Sequence, residues 1–191
     1  KVLVIGGSGF IGSFVVDELV RRGFSVVNFD NRPSPWHRKA QEEVIGDVSD
    51  QELLMSATDG VRYVYHFAGV ADISDATERP RDAIEANVMG AVNVAEVCIA
   101  RSVERFLYAS TMYVYSDRGS FYRATKQAAE TLIESYSECS SLKYTFLRYG
   151  SLYGPRSQEW NGMRRYIEQV VGRGFVKYSG TGREKREYIH V

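Results

Sequence analysis

Apolar and polar positions along the chain alternate between two periods. VLVI (2–5) is a short, continuous, β-branched apolar run ending in glycines, the pattern of a parallel strand buried on both faces. From Phe10, the apolar residues Ile11, Phe14, Val15, Leu19 and Val20 follow helical spacing to Arg22, and Gly23 stops the helix. SVVNF (25–29) reads as a second strand ending at Asp30, followed by a loop with Pro33 and Pro35. A short strand at 44–45, a turn GDVSD (46–50) and a helix over 51–58 come next, then a strand YVYHF (63–67). A long helix is predicted over 82–100, with Ile84, Val88, Val92, Ala95 and Ile99 on one side. RFLYAS (105–110) is a strand, 122–137 a helix, YTFLR (144–148) a strand, 162–172 a helix and FVKY (175–178) a short strand. This succession of βαβ units predicts an α/β protein of Rossmann type, a doubly wound parallel sheet with helices on both faces. Such sheets bind ligands at the carboxyl ends of their strands, near the point where strand order reverses.

Composition narrows the possibilities. The 191 residues are 44% hydrophobic and 25% charged, which suits a globular domain with a core. Lys+Arg and Asp+Glu both number 24, so no basic excess argues for nucleic acid or an anionic membrane as partner. The basic run REKR (183–186) taken alone reads as a solvated loop. Cys98 and Cys139 have no motif spacing, so neither a disulfide framework nor a metal site is expected, and a reducing, cytoplasmic compartment is. The longest apolar runs are of strand length, so no membrane-spanning helix is expected. Nor is a signal peptide expected ahead of the first strand. Lys1 leads straight into a strand and REYIHV ends on a strand-like run, from which we expect a piece of a longer protein.

Candidate chemistry gathers after the strands. GGSGFIG (6–12) joins the first strand to the first helix; Gly7, Gly9 and Gly12 satisfy G-x-G-x-x-G, and Gly6, Gly9 and Gly12 satisfy G-x-x-G-x-x-G. Glycines there allow a tight turn and close approach of backbone to a pyrophosphate, which the free N–H groups of the helix N-terminus attract. Asp30, 18 residues after Gly12, could accept from the adenosine ribose hydroxyls and favours NAD; Arg32 leaves NADP open. Asp47 could accept from the adenine amino group or equally start a helix. HFAG (66–69) puts small residues at a strand end where backbone must pass close to a cofactor, and His66 itself reads as a packed core histidine. Asn87, early in its helix, is a candidate contact that could equally be a simple surface polar residue. Ser110 and Thr111 bring hydroxyls to a strand's carboxyl end. Eleven residues after Thr111, Tyr122 stands four before Lys126 in YRATK, one helical turn apart on a single face.

A glycine turn, hydroxyls after a central strand and Y-x-x-x-K on the next helix resemble the short-chain dehydrogenase/reductase superfamily. More narrowly, the chain resembles its extended branch, the NAD-dependent epimerase/dehydratase family acting on nucleotide sugars. GGSGFIG, FDN (29–31), GDVSD, HFAG, NVMGAVNV (87–94), STMYVY, YRATK, LRYGSLYGPR (147–156) and GTGREKREYIHV (180–191) fall in that family's order over essentially the whole chain. The resemblance implies a dinucleotide-binding domain over 1–150 that carries the catalytic residues, and the start of a smaller C-terminal substrate domain over 151–191. It implies a catalytic set of Thr111, Tyr122 and Lys126, with Tyr122 as acid–base and Lys126 also holding the nicotinamide ribose. A Lys126 ammonium and an oxidised nicotinamide would lower the tyrosine's pKa from its usual value of about 10. The implied cofactor contacts begin with Gly6, Gly9, Phe10, Ile11 and Gly12, then Asp30, Asn31, Asp47 and Val48. They continue with Phe67, Ala68, Gly69, Asn87 and Ser110, then Tyr122, Lys126 and Tyr149. Substrate would meet Thr111, Tyr122 and Arg186, the last matching the arginine that binds the substrate diphosphate.

Departures from the family pattern narrow the reaction. Dehydratases place Asp–Glu directly after the threonine; Met112 and Tyr113 stand there, which argues against 4,6-dehydration and against the decarboxylase-like members. Gly150 and Ser151 replace an asparagine after LRY, and the segment between Thr111 and Tyr122 is short. An epimerase is the expectation, with a one-way NAD(P)-dependent dehydrogenase or reductase, or a decarboxylase or dehydratase, on a nucleotide sugar as the alternative and a non-catalytic dinucleotide sensor as a third reading. Family members often dimerise through the two helices that correspond to 82–100 and 122–137, so a homodimer is expected.

Overall fold

A computed structural model describes residues 1–37, 41–178, 180–183 and 185–191; Glu184, in the REKR run, lies outside them. Two compact units result, Lys1–Arg148 and Tyr149–Val191.

The first unit is built on β1 (Val2–Ile5), β2 (Val26–Asp30), β3 (Gln41–Ile45), β4 (Tyr63–His66), β5 (Arg105–Thr111) and β6 (Tyr144–Tyr149), in the spatial order β3-β2-β1-β4-β5-β6. β1 sits between β2 and β4 in parallel register, Val2 opposite both Val26 and Tyr63. Strand order therefore reverses between β1 and β4, the position that favours a ligand crevice in open α/β sheets.

Pleating sorts the strand residues between two layers. Val2, Val4 and Val26 face α1 (Phe10–Arg21), packing with Val16, Val15 and Leu19. Leu3, Ile5, Val27, Phe29, Val64 and Phe106 face the other way, onto α2 (Gln51–Ala57) and two longer helices. The first of these is a continuous run, Pro80–Ala100, made of α4 (Pro80–Ile84), a π-helical turn (Glu85–Met89) and α5 (Gly90–Ala100). The second is α6 (Ser120–Glu138). A short α3 (Ile73–Glu78), capped by Asp72 on the Ser74 and Asp75 amides, precedes Pro80; the sequence pattern did not announce it.

The Pro80–Ala100 helix is long and apolar enough to cross a membrane by length and composition alone. No single apolar run in it is long, yet small and β-branched residues between few charges raise its mean hydropathy to 1.4. Ala91, Val94, Ala95 and Cys98 on it are part of the buried core against the sheet, the role of a core helix.

The second unit holds β7 (Ser151–Tyr153) paired in parallel with β8 (Tyr188–His190), and α7 (Gly162–Arg173). Asn161 caps α7 by accepting from the Arg164 amide, and its Nδ2 donates to the Leu152 carbonyl at 2.8 Å. Gly174 closes the helix at φ +76°. FVKY (175–178) is irregular rather than a strand: β-branched and aromatic residues form a strand only with a partner, and β7's partner is β8.

Candidate active site

The glycine turn is shaped by its own backbone. Gly6 has φ +83°, and a Cβ there would stand 2.5 Å from the Ala68 amide nitrogen, so β1 and the segment after β4 touch directly. A Cβ on Gly12 would run into the Gly6 carbonyl oxygen, which locks the start of α1 onto the turn. At Gly9 the nearest atom to an added Cβ is that same carbonyl, at 3.3 Å. The protein's own packing thus asks less of Gly9, consistent with close approach by a ligand. Phe10 is buried, edge-on to Phe14, and Ile11 half-buried.

Asp30, at the end of β2, reaches into this turn. Its Oδ2 accepts from the Ser8 amide at 3.0 Å and its Oδ1 from the Arg32 amide at 3.3 Å. Ser8 Oγ donates to the Arg32 carbonyl and accepts from Asn28 Nδ2. Ser8 was not among the sequence candidates; its place inside GGSG, opposite a strand-end aspartate, was the available signal. Asn31 is exposed beside Asp30. After β3, Asp47 accepts from the Ser49 amide and hydroxyl in a local turn, whereas Asp50 caps α2. Val48 packs on Gly90, where a Cβ would come within 2.9 Å of its Cγ2. After β4, the Phe67 and Ala68 amides both donate to the Ile5 carbonyl.

At Asn87 the surface alternative is excluded. The residue is fully buried in the π turn and not on the surface. Its Oδ1 accepts from the Val70 amide, and its Nδ2 donates to the Val70 carbonyl and to Thr125 Oγ1, each bond 2.9–3.0 Å. The amide ties the loop after Gly69 to α6 and is engaged on both its ends. Gly69, at φ +147°, lies so close that a Cβ would collide with Asn87 Oδ1.

At the carboxyl end of β5, Ser110 and Thr111 are buried. Thr111 Oγ1 accepts from the Tyr113 amide and starts a 3-10 turn over Met112–Tyr115. Ser110 Oγ has no hydrogen-bond partner among the described residues, an orphaned hydroxyl at the strand end where a nicotinamide is expected. Tyr122 and Lys126 both project from the first half of α6. Burial pushes the Tyr122 phenol up, and a hydrogen bond with Thr111 pulls it partly back. The lowered tyrosine that the resemblance implies needs the oxidised nicotinamide as well as the lysine, and the protein's own groups alone leave the phenol raised. Lys126 lies one helical turn on. Its Nζ, fully buried, donates to the Ala109 carbonyl at 3.0 Å and to the Tyr108 hydroxyl at 3.2 Å. Burial pulls the Lys126 ammonium down to about 8, against an opposing pull from the Glu130 carboxylate.

Glu130 extends the stripe Tyr122, Lys126, Glu130 by another turn. It is gripped by Arg148 from β6, Nε to Oε1 at 2.9 Å and Nη2 to Oε2 at 2.7 Å, while Arg148 also donates to the Tyr115 hydroxyl. Neither Glu130 nor Arg148 was foreseen, because a pairing between α6 and β6 is invisible to periodicity. His66 stands among the Phe106 and Tyr108 rings as a core histidine, held neutral by burial and by the Lys126 charge, its pKa down to about 3. Tyr149 closes β6 and is half-buried; Arg186 is exposed, just ahead of β8 in the second unit.

Residues 2–191 match the NAD dependent epimerase/dehydratase family. The chain belongs to this family. UDP-glucuronate 4-epimerase 1 of Arabidopsis thaliana is 34% identical over 213 aligned residues, covering 96% of the chain and 50% of that enzyme. Among solved structures, the UDP-glucose 4-epimerase of Thermotoga maritima with UDP-glucose superposes with a TM-score of 0.91 at 28% identity, over 99% of this chain and 69% of that one. The UDP-glucose 4-epimerase of Thermus thermophilus, a complex with NAD, gives 0.86 at 30% identity over 99% and 70%. This member of the epimerase/dehydratase family thus spans half the length of the Arabidopsis enzyme it matches.

Proposed function

We propose that the chain is the cofactor-binding and catalytic part of a NAD-dependent epimerase acting on a nucleotide sugar, a UDP-sugar first of all. The observation that carries this is the gathering of Thr111, Tyr122 and Lys126 where β5 ends and α6 begins, with Thr111 lowering the phenol that burial raises and the lysine ammonium buried one turn on. The fit to NAD rests on Gly9, the glycine of the turn that the protein's own packing constrains least, and on the unpartnered Ser110 hydroxyl. The N-terminus of α1 would receive the pyrophosphate, Asp30 the adenosine ribose, and Lys126 the nicotinamide ribose. Bound NAD supplies hydride acceptance and return.

The chain's own residues handle the proton and the pose. Thr111 orients the sugar hydroxyl, and Tyr122 takes its proton and later returns one. Lys126 holds positive charge beside Tyr122, favouring the phenolate against the burial that opposes it. Met112 and Tyr113 offer no carboxyl group for eliminating water, which favours epimerisation over dehydration. Arg186 and the rest of Tyr149–Val191 would belong to substrate binding, and two free cysteines suit a reducing cytoplasmic compartment. Exposed Ile84 and Met89 on Pro80–Ala100 and exposed Phe121 and Leu132 on α6 would form the homodimer contact, which a monomer mass in light scattering would refute.

The test is to incubate the full chain with NAD and UDP-, GDP- and dTDP-sugars. Epimerised sugar without net NADH supports the proposal; stoichiometric NADH replaces it with a one-way dehydrogenase, and no turnover with any sugar removes it.

A further inference from the structure

Lys126 has a partner that neither the glycine turn nor Y-x-x-x-K announces. Tyr108 lies on β5, fully buried, three residues before Thr111. Its hydroxyl accepts from Lys126 Nζ at 3.2 Å and donates to the Asn87 carbonyl at 3.3 Å. The same ammonium stands 4.7 Å from the centre of the Tyr108 ring, within range of its negative π face. The far end of the bond is anchored too, since the Asn87 side chain holds Val70 and Thr125.

We infer that Tyr108 is a positioning residue for Lys126: its hydroxyl links the ammonium to the Asn87 carbonyl and so fixes where that charge stands along α6. The inference rests on the role given above to Tyr122 and Lys126. Two of the ammonium's three protons are used in this way, on Tyr108 and Ala109, and both acceptors come from β5. A lysine otherwise has a long, flexible stem, and rotation about it would carry the charge away from the phenol it must influence.

Other groups facing Lys126 shape its titration. Tyr122 and Glu130 share its helix, His66 approaches from β4, and Gly69 passes alongside, an added Cβ there lying 3.9 Å from Nζ. His66 is neutral and Glu130 is bound to Arg148, so neither substitutes for the hydroxyl. Tyr108 itself stays protonated, because burial pushes its phenol far up.

The test is Y108F, with Y108M as a second hydroxyl-free variant should the first fold poorly. Lys126 Nζ is followed by nitrogen-15 NMR, its signal assigned with K126M, alongside kcat, KM and their pH profiles on the sugar that the wild type turns over. Losing an acceptor that favours the ammonium lowers the Lys126 titration by about one pH unit. The kcat falls about tenfold, its alkaline limb moves to lower pH, and KM and the melting temperature change little. An unmoved Lys126 titration in both variants overturns the inference, as does a lower melting temperature with unchanged kcat and pH limb. A shifted lysine in a protein that turns over no nucleotide sugar overturns the positioning role together with the epimerase reading. A normal pH profile beside an inactive Y122F sinks the inference alone.

Discussion

The two compact units differ in what holds them and in the charge they carry. Every buried apolar side chain among the described residues lies in Lys1–Arg148, from Val2 to Leu142. Tyr149–Val191 contributes none; its buried side chains are the polar Ser157 and Asn161, and Val171 and Phe175 are 83% and 62% exposed. The second unit carries eight Lys/Arg against four Asp/Glu, a formal +4, and the first carries sixteen against twenty, a formal −4. Net neutrality of the whole chain hides this division. A finished core can hold side chains to the tolerances that proton transfer needs. Backbone pairing and a helix cap suffice to present basic residues, where reach and charge matter more than exact placement.

This contrast can be broken by substitution. Y122F, in the first unit, is expected to lower kcat by roughly 10³-fold, the scale of general acid–base catalysis, with NAD affinity nearly intact by fluorescence titration. Normal turnover would end the assignment. Next in size, F106A should cost about 3–5 kcal/mol in urea unfolding, while V171N in the second unit should stay within about 0.5 kcal/mol. Equal costs would show that the second unit has a core of its own.

Acid adds a third probe. The His66 pKa falls from 6.5 to about 3 in the fold, so the unfolded chain binds the extra proton between those values. Its contribution is therefore complete above pH 6.5 and is lost as pH falls towards 3, by roughly 2–3 kcal/mol at pH 4.5. H66L should flatten that limb in pH-dependent unfolding; an unaltered limb assigns acid sensitivity to other groups. The smallest effect on activity is expected at the second unit's surface, where R186A should raise KM for the nucleotide sugar about tenfold with kcat kept, as for a lost phosphate contact. A fall in kcat alone would move Arg186 from binding to chemistry.

The sheet was legible because VLVI, SVVNF and RFLYAS are strands that packing buries, so local pattern and tertiary demand agree. The turn between β1 and α1 and the helix that carries YRATK were legible for a related reason: their patterns are local in sequence. The burial of Asn87 was not legible, because its partners, Val70 and Thr125, come from other elements. Tyr108, Ser8 and the Glu130–Arg148 pair escaped for the same cause. FVKY failed in the opposite direction, as a strand-prone segment with no neighbouring strand.

The π turn at Glu85–Met89 has a consequence for how this gene can change length. One hydrogen-bonded turn there contains one residue more than an α-helical turn. A single-codon deletion within it could heal into an unbroken α-helix, leaving α4 and α5 each on its present face. The same deletion anywhere in α5 would rotate the remainder by about 100° and turn Val94 and Cys98 off the sheet. In-frame loss at the π turn should therefore yield a protein that folds, with the bonds of Asn87 to Val70 and Thr125 as the local cost.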